Sequence, residues 1–490
     1  MVAPKALRVL VDLTRYRPDG EGGGIKPALQ ELLRWLGQHS EAAIHFVYVL
    51  DPALDARSLS WLRPVDEWVS SLGMSRELAA IKNCSLVYCP FGLTDWACPG
   101  IPTITLIVDL LHKNFAETLS APDCRFREEG FRSALLQTDL FQVISEYTGA
   151  QLQEHYQVPP HKIIRTYLPV HDRFPTSAPP WGKKPEPPFF FYPANAWVHK
   201  NHETLLVAYA LYHQAAGPAS WRLVLTGHPN EPMKRLQRIA GNLGIAGQVD
   251  FLGYVDDSRL ALLWGTAGAL VFPSLHEGFG LPLLEAMSQG VPIIASHCTA
   301  IPEITSDAAL LVESRAPLAL ADGMRKIAED PQLRSTLIGR GRNRITDFSQ
   351  AVEFGRLLNS FYDLAHKASS WRRFGYHSAD GVTDPLRIFG LPLTDAPQAL
   401  HYLTQPLGVS RTLEFWCGDL CVEKIAVAAN VPTGGHVVLP ANSQVLSLHV
   451  PDSSRLSPVD PRTHGVRLTR LYTTTIDGVD TDLLSSPVAP

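Results

Sequence analysis

Residues 271–296 read VFPSLHEGFGLPLLEAMSQGVPIIAS, and this stretch restricts the fold more tightly than any other in the 490-residue chain. A β-branched run, a glycine loop, a short apolar helix, a glycine stop and a second β-branched run follow one another without spare residues. Gly278 and Gly280 let the backbone approach a ligand closely. The helix expected from Leu281 or Pro282 would turn its first N–H groups and the positive end of its dipole toward that ligand, a setting that suits a pyrophosphate. Phe279 lies between the two glycines. Glu277 precedes the loop and Glu285 follows eight residues later, so one carboxylate can approach a sugar while the other reaches a vicinal diol such as a ribose. Gly290 fits the position just past the helix end. A strand–glycine–helix turn can also merely pack, so the reading depends on the rest of the chain.

The rest of the chain repeats this grammar. From residue 7, LRVLVDLT leads into a glycine cluster at residues 20–24 and then the helical pattern IKPALQELLRWLGQ, the opening of a nucleotide-type βαβ unit. AAIHFVYVL, CSLVYC, TITLIV and LFQVIS continue it as short buried strands between helical stretches, which predicts a parallel sheet covered on both faces over residues 1–173. The proline-rich FPTSAPPWGKKPEPP reads as a connector. A second open α/β domain is expected over 189–366, closed by the helix around AVEFGRLLNSFYDLAH. Beyond residue 371 the runs are short, β-rich and split by Pro, Gly, Asn and Asp, which predicts an all-β sandwich to residue 490. At roughly 100 to 200 residues per domain, three domains agree with the length.

The net charge of −5 gives no general electrostatic reason to expect nucleic acid as a partner. No run approaches the apolar length of a membrane span, and the start lacks a signal-peptide pattern, so a cytoplasmic protein is expected. The seven cysteines are odd in number and lack zinc-site spacing, Cys417 and Cys421 included. His199, His202 and His228 have no carboxylate in ligand spacing and read as surface or hydrogen-bonding groups, so no metal site is expected.

The 271–296 stretch closely resembles the EGFGLPxLEAMxxGxPVxxS signature of retaining glycosyltransferases of family 4, whose two Rossmann-like domains face a cleft in the GT-B fold. Glu277 and Glu285 occupy its two acidic positions. FYPANAWVHKNHETLLVAYALY, residues 191–212, resembles the family's donor-phosphate segment, with Lys200 as the phosphate contact; relatives often carry arginine where this chain has Asn195. LVLTGHP, which includes Gly227, and FLGYVDDSRLALLWGTA match further segments, the latter bordering the nucleobase. Gly22, Gly23 and Gly24 resemble the N-terminal glycine loop near the donor phosphates. Asp109 and Leu110 fit a His-Asp-Leu motif whose histidine is replaced here by Val108, so either His112 substitutes or the pocket is tuned differently. Ser145 and Glu146 match a later Ser-Glu-Tyr-Thr run and are expected to be structural or acceptor-side groups. The resemblance covers roughly residues 7–366.

It implies a hexosyltransferase that uses a nucleotide sugar, first guess GDP-mannose, and a saccharide or lipid-linked glycan acceptor, without a metal or other cofactor. Glu277, Lys200 and Asp109 would be its principal site residues. Peripheral membrane contact or association with a partner enzyme is compatible with this reading, and oligomeric state stays open. The competing readings are a transferase-like core that has lost activity and acts through a glycan-binding β domain, and another GT-B enzyme such as an epimerase or a phosphorylase. Trp416 and Tyr472 are the aromatic candidates of that β domain.

Overall fold

The computed structural model describes residues 7–16, 25–39, 44–54, 59, 61, 66–72, 82–97, 101–168 and 188–365, and beyond them strands between 373 and 482. Gly22, Gly23 and Gly24 and nearly all of the proline-rich connector lie outside the described residues, so the expectations placed on them are neither met nor corrected.

Among the described residues, seven strands form the first sheet: β1 Leu7–Leu13, β2 Ile44–Leu50, β3 Glu67–Ser70, β4 Leu86–Cys89, β5 Thr103–Ile107, β6 Leu140–Val143 and β7 Ile163–Arg165. Their order is β3-β2-β1-β4-β5-β6-β7, every pair parallel. The second sheet holds β8 Phe189–Pro193, β9 Arg222–Thr226, β10 Val249–Phe251, β11 Ala269–Phe272, β12 Ile293–Ser296 and β13 Ala309–Val312. It runs β10-β9-β8-β11-β12-β13 and is also wholly parallel. The central strands are apolar on both faces: β4, β5, β11 and β12 bury every residue, as strands sandwiched between helices must.

These orders locate the ligand sites. In the second sheet the winding direction reverses between β8 and β11, so the loops leaving their C-terminal ends splay apart and leave a crevice. Those loops carry Lys200 and Glu277. In the first sheet the reversal falls between β1 and β4, and the neighbouring strand β5 ends at Ile107, one residue before Val108.

The helix Gln350–Ala365, expected to close the second domain, instead lies on the first. Its Phe354 meets Trp35 with ring centroids 5.7 Å apart, and its Phe361 meets Tyr88 at 5.4 Å. Glu353 on the same helix is only 2% exposed and accepts from Arg165 at 3.1 Å and from the Tyr167 N–H at 2.9 Å. A second clasp joins the domains nearer the cleft. The Glu303 carboxylate accepts the N–H groups of Glu146 (2.7 Å) and Tyr147 (3.0 Å), the first two residues of the helix Glu146–Tyr156. Helix-terminal N–H groups lack intrahelical partners, so a carboxylate from the opposite domain satisfies two of them and meets the dipole favourably.

The C-terminal strands pair antiparallel, as their turn-rich sequence predicts. Hydrogen bonding links nine of them into one sheet, but its two halves are joined only at Val382 and Val466 between strands Gly381–Phe389 and Val466–Thr474. Tyr402 of one half packs on Phe415 of the other at 5.3 Å, and Leu400, Leu413, Val437 and Leu448 are buried. The two halves thus share an apolar core while remaining one connected sheet. Trp416 donates its indole N–H to Glu414 at 3.0 Å, a local structural bond; the Tyr472 side chain lies outside the described residues.

Candidate functional site

Two loops at the β8/β11 crevice bring the first functional pair together. After β8 the chain turns through a short 3-10 helix, Val198–Lys200, and Asn201 takes a left-handed conformation, φ 59°, before the helix His202–Ala216. The Asn201 side-chain amide donates to the carbonyls of Pro273 (3.0 Å) and Ser314 (2.7 Å), which ties this loop to the one after β11. The Leu275 N–H donates to the His199 carbonyl at 2.7 Å, and the Tyr192 hydroxyl bridges the Lys200 carbonyl and the Ser274 hydroxyl. With both loops fixed, Lys200 Nζ lies 2.7 Å from Glu277 Oε1, and the two side chains are only 15% and 10% exposed. An ammonium has three donors, so one carboxylate bond leaves two for phosphate oxygens.

The glycine loop follows its sequence grammar. Gly280 adopts φ +102° and caps the helix Leu281–Ser288, with Leu281 and Pro282 in its first turn. Gly290, φ +62°, ends the turn that follows. The Phe279 ring packs on Tyr167 and Phe348, each at 6.0 Å, so this residue anchors the loop while its backbone faces the crevice. Glu285 accepts the indole N–H of Trp264 at 3.1 Å, a buried partner that orients the carboxylate. The Glu277 N–H donates to Thr299 Oγ1 at 3.1 Å. On the β9 side, Gly227 (φ +155°) lies where a Cβ would meet the Ala194 carbonyl at 2.6 Å, and Asn195 Oδ1 accepts the His228 N–H at 2.8 Å. Asn195 is thus a loop brace here.

The first domain closes against this loop. A Cβ on Gly278 would fall 1.8 Å from the Val108 carbonyl oxygen, so the two backbones touch across the cleft. Asp109 follows, its Oδ1 accepting the Leu111 N–H at 3.0 Å and lying 3.3 Å from Arg127. Burial, the largest single influence, pushes its carboxyl up, but Arg127, the nearby His276 and His199 rings and the Leu111 N–H together outweigh it and hold the group below the usual carboxylate range. His276 and His199 lie close enough to Asp109 for their charge states to be coupled to it. Burial, with Lys200 alongside, pushes His199 down to about 4. His276 is lowered by burial too. Both imidazoles are therefore neutral at pH 7, and Lys200 is the cation these two loops present to an anion.

One expectation is corrected. His112 does not replace the histidine missing at Val108: its Nε2 donates to the Tyr156 hydroxyl at 2.9 Å, which donates on to Glu128 at 2.8 Å, and its ring lies 4.8 Å from Phe131. That network belongs to the packing of the first domain. The Glu146 side chain is exposed and pairs with Arg165 at 2.7 Å, an arrangement that fits the structural one of its two expected roles. His276 is the residue the sequence reading passed over. Its signal was position, immediately before Glu277 in a loop at the switch point. Among the described residues no group of three His, Cys, Asp or Glu is placed to hold a metal ion, and no helix is long and apolar enough to cross a membrane.

The depressed histidines make a stability prediction. His112 and His199 fall to about 4 and His202 to about 3, in each case chiefly through burial, against about 6.5 unfolded. The unfolded chain therefore binds more protons between pH 6.5 and 4, and stability must fall as pH falls through that window, at about 1.4 kcal/mol per pH unit for each group. Asp12, raised to about 6 by burial, opposes this with one group of the other sign. Urea unfolding at pH 7 and pH 5 is expected to show the lower midpoint at pH 5; equal midpoints would mean that these imidazoles are hydrated.

Residues 174–344 match the family model described as Glycosyl transferases group 1. The O-antigen chain mannosyltransferase B of Escherichia coli is 28% identical over 232 residues, which cover 46% of this chain and 61% of that protein. The O-antigen chain mannosyltransferase RfbU of Salmonella typhimurium is 30% identical over 130 residues, 26% of this chain and 35% of that one. The matched region thus spans about three fifths or less of these curated relatives. Among solved structures, WaaG, a glycosyltransferase involved in lipopolysaccharide biosynthesis, superposes with a TM-score of 0.58 at 15% identity, covering 72% of this chain and 99% of that one. Anabaena HepE, solved in complex with UDP and glucose, gives 0.59 at 16% identity over 73% of this chain and 100% of that one. These likenesses establish the two-domain GT-B fold for the α/β part.

Proposed function

We propose, from a chain that carries a group 1 glycosyl transferase domain in a GT-B fold, that the protein is a retaining hexosyltransferase that moves a hexose, mannose first, from a nucleotide sugar to a saccharide acceptor. The observation that carries this reading is the convergence of Lys200, Glu277 and the Gly278–Gly280 backbone at the β8/β11 switch point, closed from the other side by Val108 and Asp109. As the glycosyl–phosphate bond breaks, negative charge grows on the departing diphosphate. Lys200 and the backbone N–H groups from Gly278 to Leu281, at the positive end of the helix Leu281–Ser288, can act as fixed donors for that charge, preorganised before the reaction starts. Positive groups of this kind can do the work of a metal ion. Glu285, oriented by Trp264, can bind the vicinal hydroxyls of the ribose, and Glu277 can orient the hexose.

Attack by the acceptor hydroxyl on the face the diphosphate leaves would retain the anomeric configuration, the diphosphate oxygen taking the hydroxyl proton. The sequence likeness to proteins named O-antigen chain mannosyltransferases supports mannose as the hexose, and GDP-mannose is the donor, and a glycan, lipid-linked or free, the acceptor, to test first. A lipid-linked acceptor would bring the protein to a membrane surface without a spanning helix.

The test is a donor screen by calorimetry and product release on the full chain, GDP-mannose against UDP-glucose and other sugar nucleotides, with the anomer of any product read by NMR. Binding and slow hydrolysis of one donor is the expected outcome. Should no sugar nucleotide bind, the transferase reading fails and the C-terminal β domain becomes the working part. A product of inverted configuration would overturn the retaining mechanism alone.

A further inference from the structure

His276 is 2% exposed, and neither ring nitrogen has a hydrogen-bond partner. Native proteins rarely leave a buried polar group unpaired, and each such group calls for an explanation. Among the described residues His202 shares the pattern, but its ring lies against Tyr192 at 4.8 Å, within the donor domain. The His276 ring instead reaches across the cleft to two rings of the first domain, Phe115 at 5.4 Å and Tyr147 at 6.1 Å. Its backbone neighbours on both sides are pinned, Leu275 by the His199 carbonyl and Glu277 by Thr299. The ring is therefore held within electrostatic reach of Asp109 and of the Lys200–Glu277 pair.

The chemistry of that point is narrow. A cation is already supplied by Lys200 and anions by Asp109 and Glu277, so the group that an imidazole adds is a neutral one that donates with one nitrogen and accepts with the other. A hydroxyl, which also donates and accepts, is its natural complement. Phosphate, an acceptor, would use only half of it.

We propose that His276 binds a hydroxyl of the donor hexose and thereby helps select which sugar the cleft accepts, a role that rests on the transferase reading above. The alternative is that His276 only fills space between Phe115 and Tyr147, which an apolar ring would do as well. The experiment compares wild type, His276→Phe and His276→Gln. Each is titrated with the free nucleoside diphosphate and with the sugar nucleotide selected in the donor screen, and donor hydrolysis is followed in parallel.

Phenylalanine keeps the aromatic packing and removes the polar atoms; glutamine keeps a donor and an acceptor. His276→Phe is expected to bind the nucleoside diphosphate within about twofold of wild type while losing about tenfold or more in sugar-nucleotide affinity and in hydrolysis, and His276→Gln is expected to recover most of that loss. If His276→Phe keeps full sugar-nucleotide affinity and turnover, the residue is packing and the proposal fails while the transferase stands. Equal loss of nucleoside diphosphate and sugar nucleotide also overturns it, because the position would then act on the loop as a whole. If wild type binds nucleoside diphosphate and no sugar nucleotide, both readings fall together, and that result is seen before any variant is made.

Discussion

Lys200→Ala is expected to lower kcat/KM for donor turnover by about two to three orders of magnitude, the cost typical of removing one preorganised donor to a developing oxyanion. The same substitution should weaken the fold, because it strands Glu277. That carboxylate is almost buried and has Lys200 Nζ at 2.7 Å. Removing one partner of such a pair costs about 3 to 5 kcal/mol, since the remaining charge keeps its desolvation penalty and loses its compensation. The two effects separate in a double variant. Lys200→Met with Glu277→Gln removes both charges and should regain most of the unfolding free energy while activity stays lost, a non-additivity that a double-mutant cycle in urea measures directly. A Lys200→Ala enzyme with near-normal turnover would remove the phosphate clamp from the mechanism. A double variant no more stable than the single would show that the pair is not what holds the two loops.

Much of this site was legible before any coordinates, and the reason is local. Strand, glycine loop and helix between residues 271 and 296 are consecutive in sequence, so the pattern that forms them also places Glu277, Gly278 and Gly280 at the sheet edge, and Gly280 and Gly290 take the positive φ that their positions demand. Lys200 was legible for the same reason, as the last residue of a strand-to-helix turn. What was not legible depends on contacts between distant segments. His112 looked like a substitute for the histidine missing at Val108 because it is four residues away in sequence, but the chain turns it toward Tyr156 and Phe131 inside the first domain. His276 and His199, far from Val108 in sequence, are imidazoles that the fold brings near Asp109. Between the two roles the sequence leaves open for Glu146, its partners Arg165 and Glu303, from a different strand and a different domain, favour the structural one. The closing helix, too, was assigned by adjacency in sequence, whereas Phe354 and Phe361 find their apolar partners on the first domain.

Gly278→Ala should separate binding from catalysis. In the closed arrangement an added Cβ would stand 1.8 Å from the Val108 carbonyl oxygen, and both neighbours are backbone, so neither a side-chain rotation nor a small shift can make room. Gly278 itself is not among the glycines with positive φ, so alanine meets no conformational strain there when the domains are apart. The cost thus falls on closure alone. The donor domain should fold and bind nucleoside diphosphate within a few-fold of wild type, because Lys200, Glu285 and the helix Leu281–Ser288 are untouched. Turnover should fall by about two orders of magnitude or more, since a displacement of even an ångström at the reacting centre carries a penalty of that size. On the proposed reading, domain closure would bring Asp109 to the hexose, and an enzyme held ajar could not hold donor and acceptor in attacking geometry. Calorimetry with nucleoside diphosphate and steady-state turnover on the same preparation read the two quantities, and small-angle scattering with donor present reads the closure. Normal turnover in Gly278→Ala would mean that the reactive state does not need this backbone contact, and the site would then have to work with the domains farther apart.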